Sequence, residues 1–352
     1  MWALLTSFIT ALLIAPLTIA VYTKQGWVDN PKVDSHIKKT HTMPVPRGGG
    51  IVIFGAFLIS TLLFLQFDKH LIAILLAALL LTIVGTLDDI FDISPKIRLV
   101  TGLIAAAVVV ASGIGIAYVT NPFAQGVIHL NQPQIALFVF GKMRTVWILA
   151  DIFALFFILW NMNIVNWSKG VDGQLPSFVS VAMLVIALLS SRFVDDPTLF
   201  DTATFSMIIA GAYLGLLVWN WYPQKMMPGY GAGSLAGFFL GVAAIISGAK
   251  IATVLIVLGL PTADAVFTIL RRLFRKKSPL LGDRGHFHHV LLDYYGYSRK
   301  QISLLYVASS LLLGGAALYL NTAGKMITML LIFTIVFGVH IYARKTKKAR
   351  RR

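Results

Sequence analysis

The sequence has no cysteine and no glutamate among its 352 residues. The absence of cysteine excludes disulfides, thiolate nucleophiles and cysteine-based metal sites. All 14 acidic residues are aspartates, and 30 lysines and arginines give a formal net charge of +16. These basic residues flank apolar segments and form no soluble basic domain. Attraction to anionic headgroups therefore explains them better than nucleic-acid binding does.

Long apolar segments dominate what is present, since 57% of the residues are hydrophobic. A membrane-spanning helix needs about 20 mostly apolar residues, and eleven segments approach or reach that length. They lack the period-two alternation of barrel strands. We therefore predict an all-α integral membrane protein with a bundle of about 10–11 transmembrane helices. The candidate spans are 2–22, 50–66, 70–87, 99–117, 146–165, 175–191, 200–219, 234–248, 250–270, 302–320 and 325–343.

The chain shows no internal repeat and no linker between separable domains. We predict one multi-span domain over 1–352, ending in a basic tail at 344–352. The first span lacks a basic n-region and is long enough to cross, so we expect it to be retained rather than cleaved. The loop 118–145 is long and polar enough for a small hairpin.

Lysine and arginine are unevenly distributed over the loops. Of the 30, 24 lie in the C-terminal tail and in every second loop, counted from the first one. Cytoplasmic loops carry the excess of basic residues. The protein is therefore predicted to lie in the cytoplasmic membrane, with the N-terminus outside and the C-terminus in the cytoplasm. The candidate catalytic groups are concentrated in the predicted cytoplasmic loops.

The segment "VGTLDDIFDISPK" places Asp88, Asp89 and Asp92 at the end of an apolar run. A charge at mid-bilayer costs about 2.5–3.5 kcal/mol, so these side chains should lie at the membrane surface or in a wet cavity. If the helix continues through them, Asp88 and Asp92 share a face, and such close carboxylates suit Mg²⁺. The alternative is a solvated helix end paired with Lys96 and Arg98.

The first cytoplasmic loop, 28–50, contains Lys39, His41 and Arg47 before three glycines that open a span. Glycine backbone and a helix N-terminus can accommodate an anion. A basic loop with a flexible turn would have the same composition.

The segment "WNMNIVNWSKGVDGQ" contains Asn163 and Asn166 near the end of the fifth span, and Asp172 in a glycine-bounded turn. The amides can recognise a sugar or a base, and the carboxylate can bind a metal or a hydroxyl. Hydrogen bonding between helices is the structural alternative.

The segment "GDRGHFHHVLLD" contains three histidines, His286, His288 and His289, beside Arg284. Three histidines are compatible with zinc. The basic segment before them favours a diphosphate instead. Together with the aspartates, these groups indicate phosphoryl transfer at a membrane surface, where positioning and charge neutralisation supply most of the catalysis.

Five segments carry a resemblance to a known family, in this order: "KKTHTMPVPRGGG", "GTLDDIFDISPKIRL", "TNPFAQGVIHL", "NIVNWSKGVDG" and "DRGHFHHVLLDYYGYS". At these residues the chain resembles the polyprenyl-phosphate N-acetylhexosamine-1-phosphate transferases, the MraY/WecA/TagO group of glycosyltransferase family 4. The similarity covers nearly the whole chain and is strongest to the WecA/TagO branch.

The resemblance implies that a polyprenyl-phosphate oxygen attacks the β-phosphorus of a UDP-N-acetylhexosamine, most simply UDP-GlcNAc, and releases UMP. It implies Mg²⁺, or Mn²⁺ in its place, as cofactor. The implied partners are the UDP-sugar, undecaprenyl phosphate and the membrane, and dimerisation is left open. The implied product initiates a cell-envelope glycan.

The resemblance also assigns residues. Asp88, Asp89 and Asp92 would be catalytic, and Asp88, Asp89 and Asp172 would bind the metal. The groups expected to bind substrate are Lys39, His41, Asn163, Asn166, Asp172, Arg284, His286, His288 and His289.

The sequence departs from the family pattern at two places. The family's "DG-x-DG" turn is "KGVDG" here, so Lys169 replaces an acid. The family's "GD-x-GS" aspartate falls on Tyr230 or Gly231, depending on the anchor of the alignment. The alternative function is therefore an inactive homologue that binds lipid phosphate or nucleotide sugar. A transporter would need more ionisable groups near mid-membrane.

Overall fold

The structure is a computed structural model that describes residues 1–31, 42–121, 126–139, 142–192, 197–247, 251–278 and 284–349. In chain order the described helices are α1 (Trp2–Lys24), α2 (Gly49–Phe64), α3 (Lys69–Phe91), α4 (Pro95–Ala111), α5 (Ile148–Trp167), α6 (Gln174–Ser190), α7 (Pro197–Asn220), α8 (Gly229–Ile246), α9 (Ile251–Val257), α10 (Gly259–Phe274), α11 (Phe287–Tyr295), α12 (Arg299–Tyr319) and α13 (Thr322–Ala349). The strands are β1 (Val28–Asp29), β2 (Val45–Pro46), β3 (Tyr118–Thr120), β4 (Val127–His129), β5 (Gln134–Val139) and β6 (Lys142–Trp147).

The predicted fold class, an all-α integral membrane protein, is confirmed. Within the described ranges, seven helices are long and apolar enough to cross a membrane, or eight if one bent pair forms a single span. Each of the eleven predicted spans overlaps a helix. Three of these helices, α2, α4 and α6, have only 16 or 17 residues, fewer than the roughly 20 of a full span.

The predicted single span 250–270 is wrong as one continuous helix. It is divided into α9 and α10, whose axes differ by 84°. The break falls at Leu258, just before Gly259 and Pro261. Proline has no backbone N–H and is tolerated only in the first turn of a helix, so it favours a new helix start at this point. The bend directs α10 toward the histidine-containing segment.

The hairpin expected in the loop 118–145 is present as two antiparallel pairs. Strand β3 pairs with β4, and β5 pairs with β6 over six residues on each strand. Both pairs precede α5 and lie between the aspartate motif at the end of α3 and the asparagine motif at the end of α5.

The basic C-terminal tail begins inside a helix rather than after one. Helix α13 continues to Ala349, five residues beyond the predicted boundary at 344. Basic side chains near a helix C-terminus interact favourably with its dipole, which is consistent with this extension. Residues 350–352 lie outside the described part of the chain.

Helix α8 lies in the centre of the bundle and packs against α2, α3 and α5. Nearly all its residues are buried. Glycines allow the close approach: a Cβ added to Gly50 would lie 2.8 Å from the Cα of Gly231, and one added to Gly85 would clash with the same residue. Three backbones therefore meet here, which brings the C-terminal end of α3 beside the N-terminus of α8.

Helix α3 ends before the third aspartate of its motif. Its last residue is Phe91, and Asp92 adopts a left-handed conformation with φ 49° and ψ 62°, which aspartate tolerates better than most residues do. Helix α4 begins three residues later, with Ser94 as its N-cap. Asp88 and Asp92 therefore do not share one helical face.

Candidate active site

Asp89 lies at the junction of α3 and α8. Its Oδ1 accepts a hydrogen bond of 2.7 Å from the backbone N–H of Tyr230. A Cβ on Gly229 would collide with its Oδ2, so only glycine lets the chain pass so close to the carboxylate. The N-terminus of α8 presents unpaired N–H groups and positive potential to this anion. Asp89 is thus held in a defined position while remaining partly exposed.

Arg98, from the first turn of α4, connects the other two aspartates of the motif. Its Nε lies 2.5 Å from Asp88 Oδ1, and its second terminal nitrogen lies 2.7 Å from Asp92 Oδ1. The Asp88 side chain is buried, whereas that of Asp92 is 84% exposed. The guanidinium also lies 5.3 Å from the ring centroid of Tyr230. The predicted alternative, pairing of this acidic segment with Arg98, is therefore part of the structure.

Lys169, in the turn that follows α5, reaches the same place. Its Nζ donates a hydrogen bond of 2.5 Å to the carbonyl oxygen of Gly229 and lies 5.9 Å from the Tyr230 ring centroid. Burial lowers the pKa of Lys169 to about 8, against the opposing effect of the Asp89 and Asp88 carboxylates. The ammonium therefore forms part of the charge balance of the acidic pair.

The turn after Lys169 contacts the histidine-containing segment. A Cβ on Gly170 would overlap the imidazole of His288, so this ring packs directly on the turn. The rings of His286 and His288 are nearly parallel, with centroids 5.9 Å apart, and those of His288 and His289 are 4.3 Å apart. Two clusters that are more than a hundred residues apart in sequence are thus in contact.

Burial keeps two of these histidines neutral near pH 7. It lowers the pKa of His289 to about 4, assisted by the positive charge of Arg284. It lowers the pKa of His288 well below its usual range, assisted by His289 and His286. A neutral imidazole has one N–H donor and one acceptor nitrogen, so each of these rings can donate one hydrogen bond to a substrate.

Asp264, on α10, positions the histidine segment and had no role assigned from the sequence. Its Oδ2 lies 3.0 Å from His286 Nδ1, and its Oδ1 accepts a 2.8 Å bond from the N–H of Phe287. His340 Nε2, on α13, lies 3.3 Å from the same Oδ1. An aspartate inside an apolar segment is costly, and that cost was the sequence signal for a specific role.

The asparagines and Asp172 have different environments. Asn163 donates to Leu159 one turn earlier in its own helix, as expected of a structural amide. The Oδ1 of Asn166 is buried and accepts no hydrogen bond from the described residues. Asp172 is buried, lies 3.3 Å from Arg299 and accepts from the N–H of Gln224.

Three other predicted residues complete the inventory. Arg284 forms a bidentate pair with Asp293, with both N–O distances 2.9 Å. Lys39 and His41 lie outside the described residues. Arg47, from the same loop, is described: it pairs with Asp29, and its carbonyl oxygen faces Gly229.

Comparison with known proteins identifies the family. The model of glycosyl transferase family 4 matches residues 71–248, just over half of the chain. The chain belongs to glycosyl transferase family 4. The predicted family is therefore confirmed. The match covers α4 to α8 and all of α3 except its first two residues.

Curated relatives of this glycosyl transferase family 4 protein agree with that assignment. It is 24% identical over 351 residues to "Probable undecaprenyl-phosphate N-acetylglucosaminyl 1-phosphate transferase" of Bacillus subtilis, covering 98% of this chain and 91% of the relative. It is 30% identical over 304 residues to the undecaprenyl-phosphate alpha-N-acetylglucosaminyl 1-phosphate transferase of Thermotoga maritima, covering 85% and 81%. The protein of the same name from Escherichia coli K12 is 27% identical over 342 residues, covering 92% and 85%.

The metal set predicted for this family member, Asp88, Asp89 and Asp172, is not brought together. Within the described ranges no group of three or more Asp or His side chains is arranged to hold a metal ion. The three histidines of the segment 286–289 therefore do not form a zinc site among the described residues either. Asp172 is turned toward Arg299, and Asp88 is paired with Arg98. The residues present therefore do not fit the divalent ion that the family resemblance implies.

Proposed function

We propose that this protein transfers GlcNAc-1-phosphate from UDP-GlcNAc to a polyprenyl phosphate, such as undecaprenyl phosphate, and releases UMP. The observation that carries the proposal is the convergence of the α3 end, the α8 start and the turn after α5 around one acidic pair and two cations. The names of the relatives supply the substrate class. The active site would face the cytoplasm, with the N-terminus on the opposite side, as the basic loops favour.

The proposed reaction is an in-line displacement at the β-phosphorus. An oxygen of the lipid phosphate forms the new P–O bond, while the bond between the β-phosphorus and the bridging oxygen breaks and UMP leaves with that oxygen. A phosphate monoester carries roughly −1.5 to −2 charge near pH 7, so its oxygen needs little activation. The main requirement on the protein is positioning and charge neutralisation.

Six of the described groups have a part in this scheme. The Arg98 and Lys169 cations would offset the charge of the phosphates, and Asp89 would hold Lys169 and accept a proton from a monoanionic acceptor phosphate. The neutral His288 and His289 rings would donate to the sugar nucleotide. The free Oδ1 of Asn166 would accept a hydrogen bond from a sugar hydroxyl, an acetamide N–H or the base.

A second candidate function is an inactive homologue that binds lipid phosphate or nucleotide sugar. The specific observation in its favour is that neither Tyr230 nor Gly231 provides the carboxylate of the family pattern. In this case UDP-GlcNAc would bind and no UMP would form.

The test is UMP release by the detergent-purified full chain, given undecaprenyl phosphate and several UDP-N-acetylhexosamines. Each donor is assayed with EDTA, Mg²⁺ and Mn²⁺, because the family resemblance implies dependence on a divalent ion. Release that is abolished in Asp89→Asn supports the transferase. Absence of release with every donor, in protein that binds UDP-GlcNAc by calorimetry, would establish the second candidate instead.

A further inference from the structure

The two departures from the family pattern meet in space. Lys169 replaces the first acid of one motif, and Tyr230 or Gly231 occupies the position of an acid in the other. In the structure the Lys169 ammonium lies over the Tyr230 ring and bonds to the residue before it, Gly229. Relative to the family pattern, position 169 carries a positive charge in place of a negative one, and position 230 or 231 lacks a negative charge. Both positions lie beside Asp88 and Asp89.

Much of the negative charge at this point is offset without an added ion. Asp88 and the solvent-exposed Asp92 share the Arg98 guanidinium, and the Lys169 ammonium lies in the field of Asp89 and Asp88. A divalent ion would therefore meet carboxylates that already have cationic partners, and it would be repelled by two fixed cations at short range. Oxygen ligands of such ions are normally several carboxylates and carbonyls free to turn toward the metal. Here the Gly229 carbonyl already accepts from Lys169, and Asp88 is already paired with Arg98.

The space for a third carboxylate is also narrow. A Cβ on Gly231 would lie 3.1 Å from the Cα of Gly50 and 3.7 Å from Asp89 Oδ2. The neighbour at 3.1 Å is backbone of α2, so the helices would have to separate by a few tenths of an ångström to admit a side chain. The Tyr230 side chain fills the neighbouring position, where its hydroxyl donates to the Arg98 carbonyl oxygen at 3.3 Å. The packing at Gly231 therefore favours glycine over an acid, and a tyrosine occupies the other position that the family pattern gives to an acid.

We propose that Lys169 is the resident cation of this site and takes the charge-neutralising place of a divalent metal. The ammonium is fixed by the Gly229 carbonyl and by the field of Asp89, and it is partly exposed, so a phosphate oxygen can reach it. Substrate phosphates then bind against a covalently attached cation, and the site requires no divalent ion. This inference deepens the proposed function and rests on it for the identity of the phosphates.

The first experiment measures the metal alone. Mn²⁺ binding to the detergent-purified full chain is followed by electron paramagnetic resonance, and the unfolding midpoint is measured with EDTA and with Mg²⁺. The native protein should bind no stoichiometric Mn²⁺, and its midpoint should not move. One Mn²⁺ bound per chain at sub-millimolar concentration would overturn the proposal, whatever any variant does.

The second experiment restores an acid. Lys169→Asp places three carboxylates around the same point and removes the competing ammonium, so Mn²⁺ affinity should rise by at least about tenfold. The matched control is Lys225→Asp, since Lys225 lies exposed over the ring of Trp219. A folded Lys169→Asp protein that binds no more Mn²⁺ than this control would also overturn the proposal.

UMP release separates this inference from the proposed function. Release that is equal in EDTA and Mg²⁺ supports both. Release that requires Mg²⁺ retains the transferase and overturns the role of Lys169. If no donor yields UMP, the proposed reaction fails, and the Mn²⁺ measurements on native and variant protein still decide whether Lys169 replaces the metal.

Discussion

Two buried carboxylate sites in this molecule are neutralised in different ways. At the first, which we call the open site, Asp88 and Asp89 have the cations Arg98 and Lys169 beside them at the end of a helix. At the second, the closed site, Asp264 lies deep in the bundle and is satisfied by two imidazole nitrogens, one backbone N–H and the Thr268 hydroxyl, and it anchors the histidine segment 286–289. Ionic partners at a partly open surface can be shared with an incoming phosphate. Imidazole, hydroxyl and backbone donors around a buried carboxylate instead fix their own positions, which suits a residue that anchors a loop.

The largest expected effect comes from removing charge at the open site. Asp89→Asn keeps an acceptor for the Tyr230 N–H but cancels the negative charge that holds Lys169. We expect UMP release to fall by at least about 100-fold, the usual cost of losing one group that acts on the reacting centre. The measurement is kcat/KM for UDP-GlcNAc with undecaprenyl phosphate.

Asp68→Asn is the matched control, because Asp68 caps the opposite end of the same helix through the N–H of Leu71. Asparagine caps as well as aspartate does, so this variant should retain native activity and stability. Equal activity in Asp89→Asn and Asp68→Asn would show that the acidic pair has no part in the reaction.

A smaller effect is expected when the charge at the open site is kept and its geometry is lost. Arg98→Lys retains a cation but cannot bridge Asp88 and Asp92 while lying over Tyr230, since a lysine has no planar fork. We expect kcat/KM to fall by about tenfold, with the unfolding midpoint little changed. The exposed Lys96 of the same helix provides the control Lys96→Met, which should behave as the native protein. A native kcat/KM in Arg98→Lys would mean that charge alone matters there.

Substitution of Asp264 in the closed site should mainly change folding stability and substrate binding. Asp264→Asn places an amide N–H against at least one of the groups that donate to Asp264. A lost hydrogen bond to a charged group costs about 1–3 kcal/mol. We expect a lower unfolding midpoint and a higher KM for UDP-GlcNAc with a smaller change in kcat, because Asp264 positions His286 and does not contact the reacting atoms. The measurement combines thermal unfolding with a KM-against-kcat analysis.

Asp151→Asn is the comparison for that variant, since the partner of Asp151 among the described residues is the N–H of Trp147, near the start of α5. It should leave KM unchanged. A change in kcat alone in Asp264→Asn would place Asp264 in the chemistry instead of in the positioning of the histidines.

The difference between the two sites also explains what the sequence could reveal. The lengths of the apolar segments predicted the helices. The polar motifs between those segments marked Asp89, His288 and Asn166 as candidate site residues. The partners of these residues could not be predicted, because the bend before Gly259 and the left-handed residue Asp92 decide which helix ends meet. The local sequence pattern determines where each helix forms, whereas contacts between distant segments determine which side chains meet in the site.

Lys169 is a second example of a residue whose contacts could not be predicted from the sequence. The sequence marked it as a departure from a family motif but gave no direction for its side chain. Only the close approach of α3 and α8 at Gly85 and Gly231 places the Gly229 carbonyl and Asp89 where the ammonium can reach them. Asp172 fits the motif equally well and yet turns away toward Arg299.

The smallest expected effect is a pH dependence that arises at the closed site. Burial lowers the pKa of His289 to about 4 in the folded protein, whereas an unfolded histidine titrates near 6.5. Between these values the unfolded state binds a proton that the folded state does not. Folding stability should therefore be constant above about pH 6.5 and fall by up to about 1.4 kcal/mol per pH unit below it for this one group.

Thermal unfolding between pH 8 and pH 5 measures this slope, with His289→Gln as the test and His129→Gln as the control. His129 lies exposed on β4, so its substitution should leave the slope unchanged. Replacing His289 should reduce the slope because glutamine takes up no proton, while His288 continues to contribute. Equal slopes in all three proteins would mean that His289 takes up a proton in the folded state as readily as in the unfolded state. Its ring would then be a charged partner of the phosphates, and the contrast between the open and the closed site would be lost.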